Sequence, residues 1–189
     1  MLLGYKAHKK SVDFLNFLIL RGLNLVGTRF EFNIPFKLQR GESYIVVANH
    51  QSTYDIPPLI WFLRKIHPKF VGKESLGKGI PSISYNLNNG GAVLINRENP
   101  KQAIERIKAF GANLVSNKHS AVIFPEGTRS NCNKPGAFHY SGLIQLMKVM
   151  PNAKLMGVSI SHSWKLLKHG PFPLALGVKM VIDVHPLIK

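Results

Sequence analysis

Two short apolar runs constrain this fold most. Ser43–Ala48 and Ser120–Phe124 each read as a buried strand, and each runs straight into a cluster of polar residues. The first leads into Asn49-His50-Gln51-Ser52-Thr53-Tyr54-Asp55, the second into Pro125-Glu126-Gly127-Thr128-Arg129-Ser130. Open α/β sheets place their ligands at such strand ends. His50 and Asp55 are five residues apart, which on a regular helix is about 500° and leaves the side chains roughly 140° apart. A His–Asp contact therefore needs a turn between them before a helix begins, and Pro57 and Pro58 suit a first helical turn. An imidazole with a carboxylate on its other nitrogen has a fixed tautomer and raised basicity, which suits taking a proton from a hydroxyl. The plainer alternative is a histidine at a helix start and an aspartate in its first turn, where acids are favoured anyway.

In the second cluster Gly127 permits close backbone approach to a ligand, Thr128 and Ser130 offer hydroxyls, and Arg129 offers a fork for phosphate. Asn88-Asn89-Gly90-Gly91 is turn chemistry, and Ala92–Ile95 reads as a buried strand delivering Asn96 and Arg97 at its end. Arginine there suits a phosphomonoester; an ion pair with Glu98 is the structural alternative. Asn99, Pro100 and Gln102 read as an N-cap, N1 and N3. The helix they open has Ala103, Ile104, Ile107, Phe110 and Leu114 at helical spacing, making the crossover of a βαβ unit. Further strands are expected at Thr28–Asn33, Pro35–Leu38, Lys69–Lys73, Leu155–Ile160 and Val178–Val184, and helices at Ile56–Ile66 and Phe138–Val149. Glu74–Leu87 reads as irregular, and Asn133–Gly136 as a loop.

Asn49–Asp55 (NHQSTYD) followed by Phe124–Ser130 (FPEGTRS) resembles the glycerophospholipid acyltransferases of the 1-acylglycerol-3-phosphate acyltransferase type, whose hallmarks are NHxxxxD and FPEGTR in that order. Gly91–Arg97 is similar to that family's intervening block, with Leu94 where phenylalanine is usual, and Gly157 stands where its fourth block has proline. The resemblance implies a single α/β domain with a mixed central sheet flanked by helices. It implies transfer of a fatty acyl group from acyl-CoA or acyl carrier protein to the free hydroxyl of 1-acylglycerol 3-phosphate, giving phosphatidic acid without cofactor or metal. His50 and Asp55 are then the catalytic pair. Lys73, Asn96, Arg97, Glu126, Gly127, Thr128 and Arg129 bind substrate, Lys73 by helping to position the phosphate or the reacting carbonyl. Within the family the acceptor could instead be glycerol 3-phosphate or a lyso-ornithine-type lipid.

At 189 residues and 45% apolar content the chain suits one domain with a sizeable core. A formal charge of +16 attracts polyanions, whether nucleic acid, an anionic bilayer or phosphorylated substrates. No stacking motif or reader fold supports nucleic acid, so a non-enzymatic polyanion binder is the weaker alternative. Cys132 is the single cysteine, which excludes an intramolecular disulfide. No HExxH or paired-cysteine spacing suggests a metal. Residues 1–10 form a basic head without a signal-peptide pattern, leading into a helix over Ser11–Gly27. On its wheel Asp13, Asn16, Arg21 and Asn24 share one arc and apolar residues fill the rest. Its longest unbroken apolar run is only Phe17–Leu20, whereas a spanning helix needs about 20 mostly apolar residues. Residues 1–27 are expected to lie in a bilayer interface, to cover one face of the sheet, or both, with 28–189 as the acyltransferase domain. The expected location is the cytoplasmic face of the membrane, peripheral or monotopic.

Overall fold

The computed structural model describes residues 4–78, 81–130 and 136–188. Its seven strands are β1 (Arg29–Asn33), β2 (Tyr44–Ala48), β3 (Pro68–Lys73), β4 (Val93–Ile95), β5 (Ser120–Ile123), β6 (Lys154–Ser161) and β7 (Lys179–Val184). They form one sheet in the order β1-β7-β6-β2-β5-β3-β4. Strands β2 to β6 run parallel, so the loops leaving them emerge on one rim. Strand β7 is antiparallel to β6, and β1 parallel to β7, so β1 and β7 begin at that rim. Five helices accompany the sheet: α1 (Gly4–Leu25), α2 (Ile56–Phe62), α3 (Pro81–Asn89), α4 (Pro100–Asn117) and α5 (Ser141–Val149). The result is the mixed α/β architecture expected from the sequence.

Alternation along the strands splits the core. In β2, Tyr44, Val46 and Ala48 face a cluster with Leu59, Leu63 and Met156. Ile45 faces the other side, where Ile107, Phe110 and Leu114 of α4 meet Leu146 of α5. Helices α1 and α2 thus lie on one face of the sheet, and α4 and α5 on the other. Helix α4 starts as its sequence dictates: Asn99 Oδ1 accepts from the Gln102 N–H at 3.1 Å, with Pro100 in the first turn.

Several element boundaries differ from expectation. Helix α1 begins at Gly4, within the basic head, because that head is docked rather than free. Tyr5 Oη bonds His67 Nδ1 at 2.9 Å, and the Tyr5 ring stacks over His119 with centroids 5.2 Å apart. Residues 34–43 contain no strand; Ile34, Phe36 and Leu38 pack on the core as an irregular strap, and Pro35 lacks the N–H a ladder requires. Helix α2 ends at Phe62 and the chain tightens into a 3-10 turn over Arg64–Ile66. The stretch read as irregular is a 3-10 turn (Glu74–Lys78) followed by α3, and α5 starts only at Ser141. Gly79, Cys132 and residues 133–135 lie outside the described residues.

The anchor of α1 makes stability depend on pH. His67 and His119 stack with centroids 4.9 Å apart, beside Lys69, Lys9 and Arg40, with Asp13 the acid facing them. Burial, then the neighbouring Lys69, His67 and Lys9, pushes His119 down to about 4 from 6.5, and burial lowers His67 as well. Between those values the unfolded chain binds a proton that folded His119 does not, so the stabilisation is complete above about 6.5 and is lost as pH falls toward 4. The urea midpoint should drop as pH is lowered across that window, and His119→Gln should flatten the drop. An equal slope in the variant would remove this histidine as the cause.

Candidate active site

Strands β2 and β5 are neighbours, with Val47 opposite Ile123, so the two polar loops leave the sheet side by side. After His50 the chain makes a 3-10 turn over Thr53–Asp55 before α2 starts, which brings the two side chains together. His50 Nδ1 lies 2.8 Å from Asp55 Oδ2. The same oxygen accepts the N–H groups of Gln51 at 2.7 Å and Ser52 at 2.9 Å. Ser52 caps the turn by accepting from Tyr54 N–H at 3.2 Å, which completes a reciprocal capping box with Asp55. The spacing Ser52-x-x-Asp55 was legible in the sequence as that signature.

Asp55 is fully buried, whereas the His50 side chain is 18% exposed, so the pair opens to solvent only through the imidazole. With Asp55 as a carboxylate, an acceptor only, Nδ1 carries the ring proton and Nε2 keeps its lone pair. Phe124 stacks on the ring at 4.3 Å between centroids and 22° between planes, which fixes its orientation.

Glu126 joins the loops. It is 3% exposed; Oε1 accepts the His50 N–H at 2.8 Å and Oε2 the Gly136 N–H at 2.8 Å. Both oxygens are thus engaged by backbone, so this carboxylate holds the loops rather than facing a phosphate. Two further bonds run between the loops, Ser130 N–H to His50 carbonyl at 2.7 Å and Arg129 Nη1 to Thr53 Oγ1 at 3.0 Å. Asn49 ties the first loop to β6: its Nδ2 donates to the Ile160 carbonyl at 2.9 Å and its Oδ1 accepts the Ile160 N–H at 2.6 Å.

Arg97 arrives from the end of β4. Gly127 sits at φ +68°, and a β-carbon there would meet Arg97 Nη1 at 3.5 Å and His139 Cδ2 at 3.7 Å. Arg97, following β4, and the glycine loop, following β5, are therefore brought together across β3, with His139 beside them. Partial burial lowers the Arg97 guanidinium from its ordinary value, a cation poorly served by water and receptive to an anion. Asn96 shapes the turn, its Oδ1 accepting the Glu98 N–H at 3.0 Å. Lys73 ends β3 on the same rim and is exposed, as are Thr128 and Arg129. Sequence reading assigned no role to Asn49, Ser52, Thr53, Phe124 or His139, although Asn49 and Phe124 stand inside the two hallmark motifs and Ser52 carried the capping signature.

A rim of parallel strand ends carries a His–carboxylate pair and two arginines, groups able to accept a proton and to attract an anion. A family model described as acyltransferase matches residues 29–161, and the chain belongs to that acyltransferase family. It is 34% identical over 119 residues to the 1-acyl-sn-glycerol-3-phosphate acyltransferase of Saccharomyces cerevisiae, covering 57% of this chain and 38% of that protein. Against the Helicobacter pylori protein of the same name it is 34% identical over 128 residues, covering 63% of this chain and 51% of the relative. The chain thus spans about half, or less, of the length of these relatives. The solved 1-acyl-sn-glycerophosphate acyltransferase PlsC of Thermotoga maritima shares the fold, with a TM-score of 0.71 at 24% identity over 97% of this chain and 70% of that one.

Glu126→Gln sets one amide NH2 against a backbone N–H and loses one of the two bonds. It should cost about 1–3 kcal/mol, read as a lower urea midpoint; an unchanged midpoint would show that the clamp is not needed for folding.

Proposed function

We propose that this protein transfers a fatty acyl group from an acyl thioester, on coenzyme A or acyl carrier protein, to the free hydroxyl of 1-acylglycerol 3-phosphate. The observation that carries the reading is the hydrogen bond between His50 Nδ1 and buried Asp55, which leaves Nε2 as the open base on a rim that also holds Arg97 and Arg129. Family membership and the names of the relatives support it.

In this mechanism Nε2 takes the proton from the acceptor hydroxyl while its oxygen attacks the thioester carbonyl carbon. Asp55 holds the imidazole and balances the imidazolium that forms. The carbon–sulfur bond then breaks, the thiolate leaves, and the imidazolium returns the proton to sulfur. The products are phosphatidic acid and free thiol, and no acyl-enzyme is required. Arg97, Arg129 and Thr128 hold the phosphate and so bring the hydroxyl to Nε2, with Gly127 allowing the approach. Lys73 adds positive charge at the phosphate or the reacting carbonyl. Asn96 and Glu126 support this arrangement from within the protein. Positioning of this kind lowers barriers by about 7–11 kcal/mol in the best model systems.

The protein works at a membrane surface in this reading, on the cytoplasmic face, where anionic lipid attracts a chain of charge +16. Among the described residues no helix is long and apolar enough to cross a membrane. Helix α1 instead turns Phe14, Leu15, Leu18 and Leu25 outward while Asn16, Leu20 and Leu23 are buried. Because those inward residues belong to the fold, point substitution tests the surface better than removing the helix.

His50→Ala should abolish acyl transfer by folded protein, and Asp55→Asn should lower kcat by about 10²–10⁴ through the wrong tautomer. Mass spectrometry of phosphatidic acid formed from lysophosphatidic acid reads both, and ordinary turnover by His50→Ala would sink the proposed base. Arg129→Ala should raise the acceptor KM while leaving that of the donor; an unchanged acceptor KM would remove it from the phosphate site. Phe14→Ser with Leu18→Ser should weaken binding to anionic vesicles, and full retention in a flotation assay would exclude this face of α1.

A further inference from the structure

The connection from β6 to β7, residues 162–178, takes no part in the proposed chemistry, yet it carries two of the most exposed large apolar side chains in the described residues. Phe172 is 87% exposed and Leu176 is 78% exposed, and Leu25 at the end of α1 is 90% exposed. Leu25 and Leu176 belong to one neighbourhood, and Phe172 lies four residues before Leu176 in the same connection. Gly177 N–H donates to the Val26 carbonyl at 3.0 Å, directly beside Leu25, and a β-carbon at Gly27 would meet the Gly177 backbone nitrogen at 3.2 Å. The loop is also held firmly beneath its tip. Ala175 N–H donates to the Leu166 carbonyl at 3.1 Å, and fully buried Leu166 packs with Leu23, Val178 and Leu174. Apolar side chains presented by an anchored backbone, rather than folded back onto the body, need an apolar neighbour.

Topology sets this tip on the rim that holds His50. Strand β6 runs parallel to β2, so residue 162 and its successors leave the sheet where Asn49 and His50 do. Ser163 Oγ donates to Gln51 Oε1 at 3.3 Å, and Tyr54 joins the apolar cluster of Leu23 and Leu166. Strand β1 begins at this rim too, so α1 ends there, its outward stripe of Phe14, Leu18 and Leu25 leading to the same place. Charge identifies the occupant. Lys165, Lys168 and His169 flank the tip, and no acidic residue occurs between Glu126 and Asp183. An apolar tip preceded by basic residues is matched by a bilayer containing anionic lipid.

We propose that Leu25, Phe172 and Leu176 form a bilayer-insertion point on the rim carrying His50, seated in a membrane that contains anionic lipid. This rests on the membrane-surface reading of α1 and extends it. Phe14 and Leu18 on α1 and the tip at its end form one line of attachment, which fixes the direction in which the rim faces. An acceptor then keeps its acyl chain in the bilayer while its glycerol hydroxyl reaches Nε2.

The test uses the full chain with Cys132→Ser and an environment-sensitive fluorophore on Leu176→Cys, with Ala109→Cys on the opposite face of the sheet as reference. Vesicles are phosphatidylcholine alone or mixed with phosphatidylglycerol, some carrying quenchers on their acyl chains. A blue shift and quenching at position 176, absent at 109 and present only with anionic lipid, are expected. Phe172→Ser with Leu176→Ser should weaken vesicle binding roughly tenfold or more, while activity on a short-chain, water-dispersed acceptor is kept. Vesicle binding with the position 176 probe still in water would overturn the tip and leave α1 standing. No vesicle binding at all would overturn both. A shift without lipid that grows with protein concentration would assign the tip to self-association instead. Because binding and probe position are read without turnover, failure of the acyl-transfer reading is seen separately.

Discussion

The hydrogen bond from the His50 backbone to the buried Glu126 carboxylate is the constraint on which the rest of the site depends. Parallel pairing of β2 and β5 sets the two loops adjacent, but adjacency alone does not fix one loop against the other. Glu126 does so from inside, spanning from His50 to Gly136, and an acceptor-only group buried between two N–H donors has one way to be satisfied. The His50 ring is then oriented from two further directions, by Asp55 at Nδ1 and by the face of Phe124. A proton acceptor held this way needs little reorganisation when a hydroxyl arrives.

Polar side chains inside this protein serve mainly to join loops to strands. Asn49 extends the β2–β6 ladder by one side chain, accepting and donating to Ile160 as a backbone unit would. Ser120 Oγ, fully buried, accepts the Tyr44 N–H at 3.0 Å where β5 begins beside β2. The Asn49 bonds brace the strand ends on the rim where the chemistry is proposed, the Ser120 bond braces the opposite ends of β2 and β5, and Lys73 and Arg97 stand at the rim of the chemistry.

Helix α1 shows how a helical wheel can mislead about which side is wet. Its polar arc includes Asn16, which is buried and donates to the Val12 carbonyl at 2.7 Å, and Asp13, which pairs with Lys9 beside the Tyr5 anchor. The outward side holds Phe14, Leu15 and Leu18. Docking was decided by rings rather than by polarity: Tyr5 on His67 and His119, and Phe17 on Trp61 at 4.8 Å. The face left over is the apolar one.

Much of the fold and the heart of the site were legible in the residues. Short apolar runs ending in polar clusters named strands β2, β4 and β5, the Asn99-Pro100 cap named the start of α4, and the five-residue spacing required a turn between His50 and Asp55. These are local matters, set by side-chain periodicity and by caps that reach only a few residues. What the tertiary structure decided is contact between distant segments: Glu126 turned inward onto His50 rather than outward to substrate, Arg97 and His139 brought together at Gly127, and α1 docked by the aromatic end of a head that looked merely basic. No local pattern encodes these, because each depends on which groups the packed sheet leaves facing one another and which donors remain to be satisfied once water is gone.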